Sequence, residues 1–305
     1  MIMIKNRAAA LFVIILIYIL AGFGGVYAYD YFSSPEGLAL SYPAAIFFAD
    51  VAATVIVFIF SLIFGNASVY DPYWSVQPPV ILLVTFIKTI ASVKTGNAAI
   101  SVSDVEAVAS WSFLACMLLT AVFFWAIRLT ANWSYNFESF EYQDWRYVML
   151  KEKSGIAYPL INFIGIHMFP TCVVYLCVLP AVTAIVEGAA FKPLCFVFVM
   201  LSVLAAVFQG IADIQMHRFR NSGVGGFIRT GLWKHSRHPN YACEILMWWG
   251  IGLASVVALG GKIWLLSGAL INTLMFLFVS IPMADKRQSR KPGFEEYKKE
   301  TRMLL

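Results

Sequence analysis

The chain has 305 residues, of which 60% are hydrophobic and only 13% are charged. A soluble globular domain carries about 25% charged residues, so this composition excludes an ordinary soluble enzyme, a disordered protein and a disulfide-rich scaffold. The mean hydropathy of +0.76 and the net charge of +5 are typical of a membrane protein with basic cytoplasmic loops, and they argue against nucleic-acid binding.

Apolar segments about as long as a bilayer is thick recur along the chain. Backbone polar groups in lipid must be hydrogen-bonded within their own segment, so such segments are helices. We therefore predict an all-α fold, a polytopic transmembrane helical bundle of seven or eight spans. The approximate limits of the eight segments are 8–29, 43–65, 76–93, 107–130, 158–186, 191–212, 241–260 and 262–283.

Prolines and glycines mark irregular points in these segments. The third segment is short and opens with Pro78-Pro79, and the fifth contains two prolines, which predict a kink or two separate pieces. The last two segments are separated by Gly260 and Gly261 alone, which predicts a tight helical hairpin. A count of seven spans would follow if one of these pieces is re-entrant.

Lys and Arg residues divide unevenly between the two sides of a chain with an even number of spans. With a cytoplasmic N-terminus, all 22 of them except Lys88, Lys94, Lys192 and Lys262 fall on the inner side. Basic residues favour cytoplasmic loops, so we predict that the N- and C-termini are both cytoplasmic. The longest polar stretches lie on the same side, and we expect the active site to face the cytoplasm.

Residues 70–75, YDPYWS, form a polar motif between the second and third segments. Asp71 and Tyr73 could provide a proton donor and a hydrogen bond to a substrate carbonyl. The alternative is structural, because Asp-Pro is common in turns and Tyr-Trp at membrane interfaces. Deeper in the apolar helices, Asp50 and Lys88 are expected to pair with each other.

The end of the sixth segment carries a polar face. Gln209, Asp213 and either His217 or Arg220 lie on one side of a helix by their spacing. Asp213 could accept a hydrogen bond from a ribose or an amide, and Arg220 or its neighbour Arg218 could hold a phosphate. Equally, this segment could be a helix end whose long side chains reach back to the interface.

Residues 227–250, FIRTGLWKHSRHPNYACEILMWWG, hold the densest polar group, at the mouth of the seventh segment. Pro239 fixes a bend before the helix, Asn240 is predicted to cap it, and Glu244 then lies about one turn inside. Arg237 and the helix N-terminus together predict an anion site. A basic loop that only fixes topology would explain the Lys and Arg residues, but not a carboxylate at this depth.

Several signals are missing from the sequence. It contains no Rossmann, Walker, zinc-protease or serine-hydrolase motif. His235 and His238 are three residues apart, but Pro239 interrupts a helix there and no carboxylate has metal-ligand spacing. We therefore predict no metal site, and we expect the five cysteines to be small buried apolar residues.

Short motifs spread over roughly 66–305 carry a family resemblance. They are 71–75 (DPYWS), 128–133 (RLTANW), 144–147 (DWRY), 213–215 (DIQ), 231–233 (GLW), 236–241 (SRHPNY), Glu244 followed by Trp248-Trp249-Gly250, and 290–297 (RKPGFEEY). Together they resemble the bacterial steroid 5-alpha-reductase-like integral membrane proteins. The combination is specific, whereas Arg-His-Pro alone is not.

The resemblance implies a single integral membrane domain, 1–305, in a bacterial plasma membrane. Its N-terminal helices, 1–106, would hold a lipid-like enone beside motif 70–75. Its second part, 107–305, would hold NADPH beside motif 231–250. By match to the family, or by position within that motif, the predicted cofactor-binding residues are Asp213, Arg220, Arg237, His238, Asn240, Tyr241 and Glu244.

The same resemblance implies a reaction. The steroid reductases use an acidic residue and a tyrosine at the substrate ketone; Asp71 falls at the acidic position, but Trp125 aligns with the tyrosine and cannot act as a phenol acid. Tyr73 would substitute for it, so Asp71 and Tyr73 are the predicted catalytic residues. A hydrogen bond from Tyr73 or a protonated Asp71 would stabilise the enolate formed when hydride reaches a conjugated alkene.

Two other classes of protein share parts of this pattern. An S-adenosylmethionine-dependent membrane methyltransferase of the isoprenylcysteine or phospholipid type has Arg-His-Pro-x-Tyr and a similar tail, but Asn240 and Glu244 favour the reductase. A transporter or lipid-binding protein would spread polar residues through its spans, whereas here they concentrate at one end. The expected partners are a lipid-like small molecule and membrane lipids, without nucleic acid or an indicated protein partner.

Overall fold

The computed structural model describes residues 4–97, 99–101 and 103–304. Throughout these ranges the regular structure is helical, and the one strand-like feature in them is an isolated bridge between Ser236 and Arg302. The α-helices are α1 (Arg7–Ser33), α2 (Tyr42–Phe64), α3 (Tyr73–Lys94), α4 (Val105–Asn136), α5 (Trp145–Ser154), α6 (Tyr158–Ile161), α7 (Phe169–Val186), α8 (Pro193–Asn221), α9 (Pro239–Ala258), α10 (Ser267–Met275), α11 (Ile281–Gln288) and α12 (Phe294–Glu300). Short 3₁₀ segments cover Ala67–Tyr70, Gly155–Ala157, Gly231–Lys234 and Ile263–Leu266, and π segments cover Asn162–Met168 and Phe276–Ser280.

Eight helical runs in the described ranges are long and apolar enough to cross a membrane, which confirms the predicted all-α membrane fold. They correspond one to one with the eight apolar segments of the sequence, so the chain is a multi-pass integral membrane protein. The runs are Arg7–Ser33, Tyr42–Phe64, Ala67–Lys94, Val105–Asn136, Trp145–Val186, Pro193–Asn221, Pro239–Ala258 and Ile263–Gln288. The side of the membrane on which each terminus lies stays a prediction.

The third span is longer than predicted. A 3₁₀ turn, Ala67–Tyr70, precedes it, and α3 begins at Tyr73, so Pro78-Pro79 lies inside the helix and does not open it. The carbonyl of Pro72 accepts the first helical hydrogen bonds, from the backbone N–H groups of residues 75 and 76 at 3.1 Å. Membrane helices tolerate internal prolines when neighbouring groups satisfy the freed backbone atoms.

The fifth span is one continuous helical run, and its irregularity lies in a π segment. Asn162–Met168 joins α6 to α7 with the wider π turn, and Pro170 follows in the first turn of α7. Because the run is continuous, Pro170 is an interior residue whose missing N–H interrupts the helical hydrogen bonds, a disruption that membrane helices tolerate. Pro180 lies within α7 without ending it.

The predicted hairpin between the last two spans is confirmed. Helix α9 ends at Ala258, and Gly260 and Gly261 follow with φ of 72° and 103°. These left-handed backbone conformations are readily available only to glycine. The N–H of Gly261 returns to the carbonyl of Val256 at 2.9 Å, which closes the turn.

The chain divides into two compact units that are interleaved along the sequence. One consists of the described residues of Met1–Lys88 and Leu129–Tyr175, and the other of those of Thr89–Arg128 and Leu176–Leu305. The expected assignment of 1–106 to substrate and 107–305 to cofactor within one domain stays a prediction.

Packing of α1 against α2 forms much of the first unit. One face of α1 buries Ala10, Ile14, Ile17 and Ala21 at helical spacing, whereas large apolar residues such as Phe23 on its other face are exposed. Small residues let two membrane helices approach closely, and an apolar exposed face suits contact with lipid.

Helices α8 and α9 pack closely in the second unit. A Cβ added at Gly250 would lie 2.1 Å from Oγ of Ser202 and 2.6 Å from the carbonyl oxygen of Phe198, so only glycine fits there. Ser202 also donates a hydrogen bond to the carbonyl of Met247 at 2.9 Å. This approach brings the polar face of α8 beside the N-terminal half of α9.

Candidate functional site

Glu244 is the most deeply buried carboxylate in the second unit, with 2% of its surface exposed. Trp125 Nε1 and Gln209 Nε2 donate to Oε2 at 2.8 and 2.7 Å, and Trp248 Nε1 donates to Oε1 at 3.0 Å. No Lys, Arg or His in the described ranges forms an ion pair with it. Neutral N–H donors from α4, α8 and α9 therefore hold this carboxylate in place.

The carboxylate of Glu244 retains capacity for a ligand. Each oxygen can accept about two hydrogen bonds; Oε2 accepts two from protein groups, whereas Oε1 accepts one. A buried carboxylate is costly unless it is well hydrogen-bonded. Glu244 is thus prepared to accept one further N–H or O–H group.

An ion pair lies one helical turn along α8 from Gln209. Arg128 Nη1 contacts Asp213 Oδ2 at 2.5 Å, and both side chains are largely buried. Arg128 lies across Gly210, where an added Cβ would come within 3.5 Å of its side chain. This distance is ordinary van der Waals contact, so the aliphatic part of Arg128 packs directly over Gly210.

Three buried polar atoms at this cluster have no hydrogen-bond partner among the described residues. They are Nε and Nη2 of Arg128 and Oε1 of Gln209. Leaving a buried polar group unsatisfied costs about 1–3 kcal/mol, so such atoms are unusual unless a ligand or water satisfies them. The name α8–α9 polar cluster is used below for four residues: Arg128, Gln209, Asp213 and Glu244.

Asn240 extends the cluster but does not cap the helix, which corrects the expectation from sequence. Pro239 starts α9, so Asn240 is already its second residue, and the N-cap is His238, whose side chain makes no capping bond. Asn240 lies one turn before Glu244 on the same helical face. Its half-buried amide makes no hydrogen bond to the described residues, so it could contact a ligand.

Basic residues lie close together at and beyond the C-terminal end of α8, which is predicted to face the cytoplasm. Arg220 is exposed in the last turn of α8, and Lys291 donates to the carbonyl of Gly226 at 2.7 Å. Burial lowers the pKa of Lys291, and the nearby charges of Arg287 and Arg220 lower it further. This local excess of positive charge favours an anion such as a phosphate.

Arg237 and His238 are held by the C-terminal part of the chain. Asp285 accepts from Arg237 Nη2 at 3.2 Å and contacts His238 Nε2 at 2.9 Å. Arg237 Nη1 also donates to the carbonyls of Lys298 and Thr301 at 3.0 and 2.7 Å. The predicted anion-binding arginine is thus engaged by a carboxylate and two carbonyls, which its sequence position alone does not indicate.

Tyr241 and Tyr297 complete this contact. The Tyr241 ring stacks on the His238 ring with centroids 5.3 Å apart. The Tyr297 hydroxyl donates to the carbonyl of Trp233, and the carbonyl of Ser236 lies 3.5 Å from it. Residues 231–241 and α11–α12 therefore form one unit of structure, named here the tail lock.

In the first unit, Asp71 and Tyr73 have separate hydrogen-bond partners. Tyr147 donates to Asp71 Oδ1 at 2.5 Å. Tyr73 donates instead to Asp50 Oδ1, at 3.4 Å, and Gln77 Nε2 donates to Asp50 Oδ2. The two predicted catalytic residues thus have different partners, and their joint role at a substrate carbonyl stays a prediction.

Asp50 does not pair with Lys88, contrary to the expectation from sequence. Lys88 lies 2.5 Å from Asp30, at the far end of α1. A lysine lowers its cost in a membrane by reaching the interface, and α3 places Lys88 near an end where Asp30 is exposed. Gln77 lies one turn after Tyr73 on α3. This pair of polar residues at helical spacing is the sequence feature that could have indicated the partners of Asp50.

A cavity of about 90 Å³ opens beside Asp50 in the first unit. Its polar lining includes Tyr73, Gln77 and Asp50 at one end and Tyr29 and Lys88 at the other, and Tyr18 and Thr85 line it as well. Mostly small or aliphatic side chains lie between them. In the described ranges, no group of three or more His, Cys, Asp or Glu side chains is placed to hold a metal ion.

The fold and these two polar sites define a multi-pass helical membrane protein with buried carboxylates in both units. The chain belongs to a family described as a protein of unknown function (DUF1295), whose model matches residues 57–301. An uncharacterized protein of Schizosaccharomyces pombe, C594.04c, is 27% identical in an alignment 203 positions long, which covers 57% of this chain and 56% of that protein. The chain thus spans little more than half the length of this relative. No solved structure matches the chain significantly.

Proposed function

We propose that this protein is a membrane-embedded NADPH-dependent reductase of a conjugated C=C bond in a lipid-like substrate. The observation that carries the proposal is the α8–α9 polar cluster. Glu244 Oε1 can accept a further hydrogen bond, and buried atoms of Arg128 and Gln209 have no hydrogen-bond partner among the described residues. The resemblance of motifs 213–215 and 236–241 to the steroid 5-alpha-reductase-like proteins supports the same function. The active site is proposed to face the cytoplasm, where NADPH is available.

The residues present fit NADPH chemically. A carboxamide offers an N–H₂ donor and a carbonyl acceptor, which suit Glu244 Oε1 and the unpaired N–H groups of Arg128. Asn240 can serve as donor or acceptor, and Asp213 has one oxygen outside its contact with Arg128 for a ribose hydroxyl. Arg220 and Lys291 provide positive charge for phosphate groups.

NADPH supplies a hydride when bound. In this proposal Glu244 and Asn240 orient the nicotinamide end, Asp213 holds a ribose, and Arg220 holds a phosphate. Arg237, His238 and Tyr241 act indirectly, because the tail lock fixes the start of α9, from which Asn240 and Glu244 project. The protein's contribution is orientation and the exclusion of water.

Substrate chemistry is proposed for the first unit. Tyr73 donates a hydrogen bond to the substrate carbonyl oxygen, where negative charge develops as the alkene is reduced. Without substrate the Tyr73 hydroxyl donates to Asp50, and it would turn from this carboxylate to the substrate oxygen. Asp71 is a positioning residue here: its contact with Tyr147 holds the turn that precedes Tyr73.

One observation favours the S-adenosylmethionine-dependent methyltransferase as a second candidate. Glu244 is a carboxylate without an ion pair, and the Trp125 and Trp248 rings beside it are 4.9 Å apart. Carboxylates and indole faces both attract a positively charged ligand. A sulfonium group would therefore also suit this position.

A binding titration separates these two functions. The purified full chain in lipid nanodiscs is titrated with NADPH and, separately, with S-adenosylmethionine, by isothermal calorimetry. We expect NADPH to bind and S-adenosylmethionine to give no response. Glu244→Gln and Asp213→Asn should each weaken NADPH binding about tenfold or more, the size expected for losing a hydrogen bond to a charged group.

Glu187→Gln is the matched control, because it also converts a carboxylate to an amide but lies in the exposed pair with Lys262. It should bind NADPH as the unchanged protein does. A response to S-adenosylmethionine alone would replace the reductase with the methyltransferase. Binding of NADPH that is unaffected by both site variants would remove the α8–α9 polar cluster as its site.

A further inference from the structure

The cavity in the first unit is a narrow slot between α1, α2 and α3. We propose that it binds a single linear hydrocarbon chain whose oxygen-bearing end reaches Asp50, Tyr73 and Gln77. This inference rests on the proposed reductase function and deepens it: the substrate is an unbranched long-chain α,β-unsaturated carbonyl compound, not a fused-ring steroid.

The polar end of the slot has the features of a binding site. Gln77 is 4% exposed and lines the slot, yet its Oε1 has no hydrogen-bond partner in the part of the chain that the structure describes. The contact between Tyr73 and Asp50 is long, at 3.4 Å, so the Tyr73 hydroxyl can turn to a ligand oxygen. A carbonyl would accept from Tyr73. When hydride reaches the alkene, the enolate oxygen takes the Tyr73 proton, and the O–H of the resulting enol would donate to Gln77.

The walls of the slot are too close for a broad ligand. Ala21, Gly22 and Gly25 on α1 face Ala49 and Ala53 on α2. A Cβ added at Gly25 would lie 3.3 Å from the Cβ of Ala53, whereas one added at Gly22 would meet no heavy atom within 4 Å. The free space therefore runs past Gly22, while the helices touch at Gly25.

Volume and length together indicate one extended chain. The cavity of about 90 Å³ is far smaller than the roughly 300–1,000 Å³ of typical ligand pockets. From Gln77 to Lys88, α3 rises about 16 Å, close to half of a hydrocarbon core of about 30 Å. A cavity this small admits only a short part of one extended chain, and the rest of the chain would lie along α3 toward the surrounding lipid.

The other end of the slot also has polar side chains, but they pair with one another. Lys88 is paired with Asp30, and its ammonium lies 5.2 Å from the centroid of the Tyr29 ring. These groups satisfy one another, so they do not require a charged ligand. The hydrocarbon tail can leave the slot here into surrounding lipid, because the neighbouring face of α1 is exposed and apolar.

Photolabelling tests the slot without using turnover. The full chain in nanodiscs is irradiated with a long-chain aliphatic alcohol that carries a diazirine, and labelled peptides are identified by mass spectrometry. We expect labels on α1, α2 and α3, removed by excess linear long-chain enone but retained with a steroidal enone. Equal competition by the steroidal enone would overturn the proposal.

Two substitutions on α1 test whether a side chain that fills the slot prevents photolabelling. Gly22→Leu places a side chain in open space and should reduce labelling roughly tenfold or more, as misfitting groups do in apolar pockets. Leu20→Phe, on the exposed face of α1, should leave it unchanged. Unchanged labelling in Gly22→Leu would also overturn the proposal. Photolabelling does not require NADPH. A negative photolabelling result can therefore be distinguished from a negative result in the NADPH titration.

Discussion

Glu244 shows how one side chain can organise a membrane site. Its two oxygens collect donors from three helices, through Trp125, Gln209 and Trp248. None of these donors carries a charge, so the negative charge of the carboxylate is spread over neutral hydrogen bonds and is not cancelled by a basic partner. Such an arrangement is costly to build and therefore points to a role in binding.

Removing the Glu244 carboxylate should lower stability as well as binding. Glu244→Ala leaves three buried N–H groups without an acceptor, at a cost of about 1–3 kcal/mol for a single such group. Glu244→Gln keeps one acceptor oxygen, so its loss should be smaller. Thermal unfolding in detergent, followed by tryptophan fluorescence, measures both variants.

Glu187→Ala is the control for this comparison, because an exposed ion pair contributes about 1 kcal/mol or less. Its midpoint should stay close to that of the unchanged protein. A Glu244→Ala variant as stable as this control would show that the three donors find other acceptors.

At the scale of elements, the tail lock joins the start of α9 to the C-terminal helices. Arg237 contacts Asp285 and two carbonyls, and Tyr297 reaches the 3₁₀ segment Gly231–Lys234 through the carbonyl of Trp233. The lock positions Asn240 and Glu244, because α9 begins directly after Arg237 and His238. A substitution in α11 or α12 should therefore alter the positions of Asn240 and Glu244 without contacting these residues directly.

The tail lock should depend on pH in a defined range. Burial raises the pKa of Tyr297 to about 12, from an ordinary value near 10. Because the folded-state pKa is raised, this contribution to stability is fully present below pH of about 10 and is lost as the pH rises toward 12. Hydrogen exchange of residues 294–301 should show the lock opening in that range.

Tyr297→Phe tests the assignment of this pH dependence. The variant lacks the hydroxyl, so exchange of the tail should be faster at neutral pH and should lose its dependence between pH of about 10 and 12. Arg229→Gln, a neighbour whose guanidinium lies 5.7 Å from the Tyr297 ring, should keep the transition. A transition that persists in Tyr297→Phe belongs to another group.

At the scale of the whole molecule, the eight candidate spans in the described ranges predict that both termini lie on one side of the membrane. The distribution of Lys and Arg predicts that this side is the cytoplasm. Fusions of a periplasmically active reporter and a cytoplasmically fluorescent reporter to the C-terminus test this directly. We expect fluorescence without enzymatic activity; the opposite pattern would reverse the orientation and exclude cytoplasmic NADPH as the cofactor.

Much of the fold followed from the sequence because lipid imposes a simple rule. Apolar runs must form helices to satisfy their backbone, so the eight spans and the Gly260-Gly261 hairpin could be predicted from residue types. Glu244 could be selected because a carboxylate inside a membrane helix is costly, whereas Asp213 and Asn240 were indicated as cofactor residues by the family resemblance. Of these three, only Asn240 and Glu244 have the spacing that places two residues on one face of a helix.

Only the tertiary structure decided which polar groups meet. Asp50 contacts Tyr73 and Gln77, Lys88 contacts Asp30, and Asp71 contacts Tyr147. Each of these pairs joins residues from different helices, and helix rotation and depth fix such contacts, not sequence spacing. Composition and periodicity determine that a segment crosses the membrane, whereas packing between segments determines which side chains its polar residues contact.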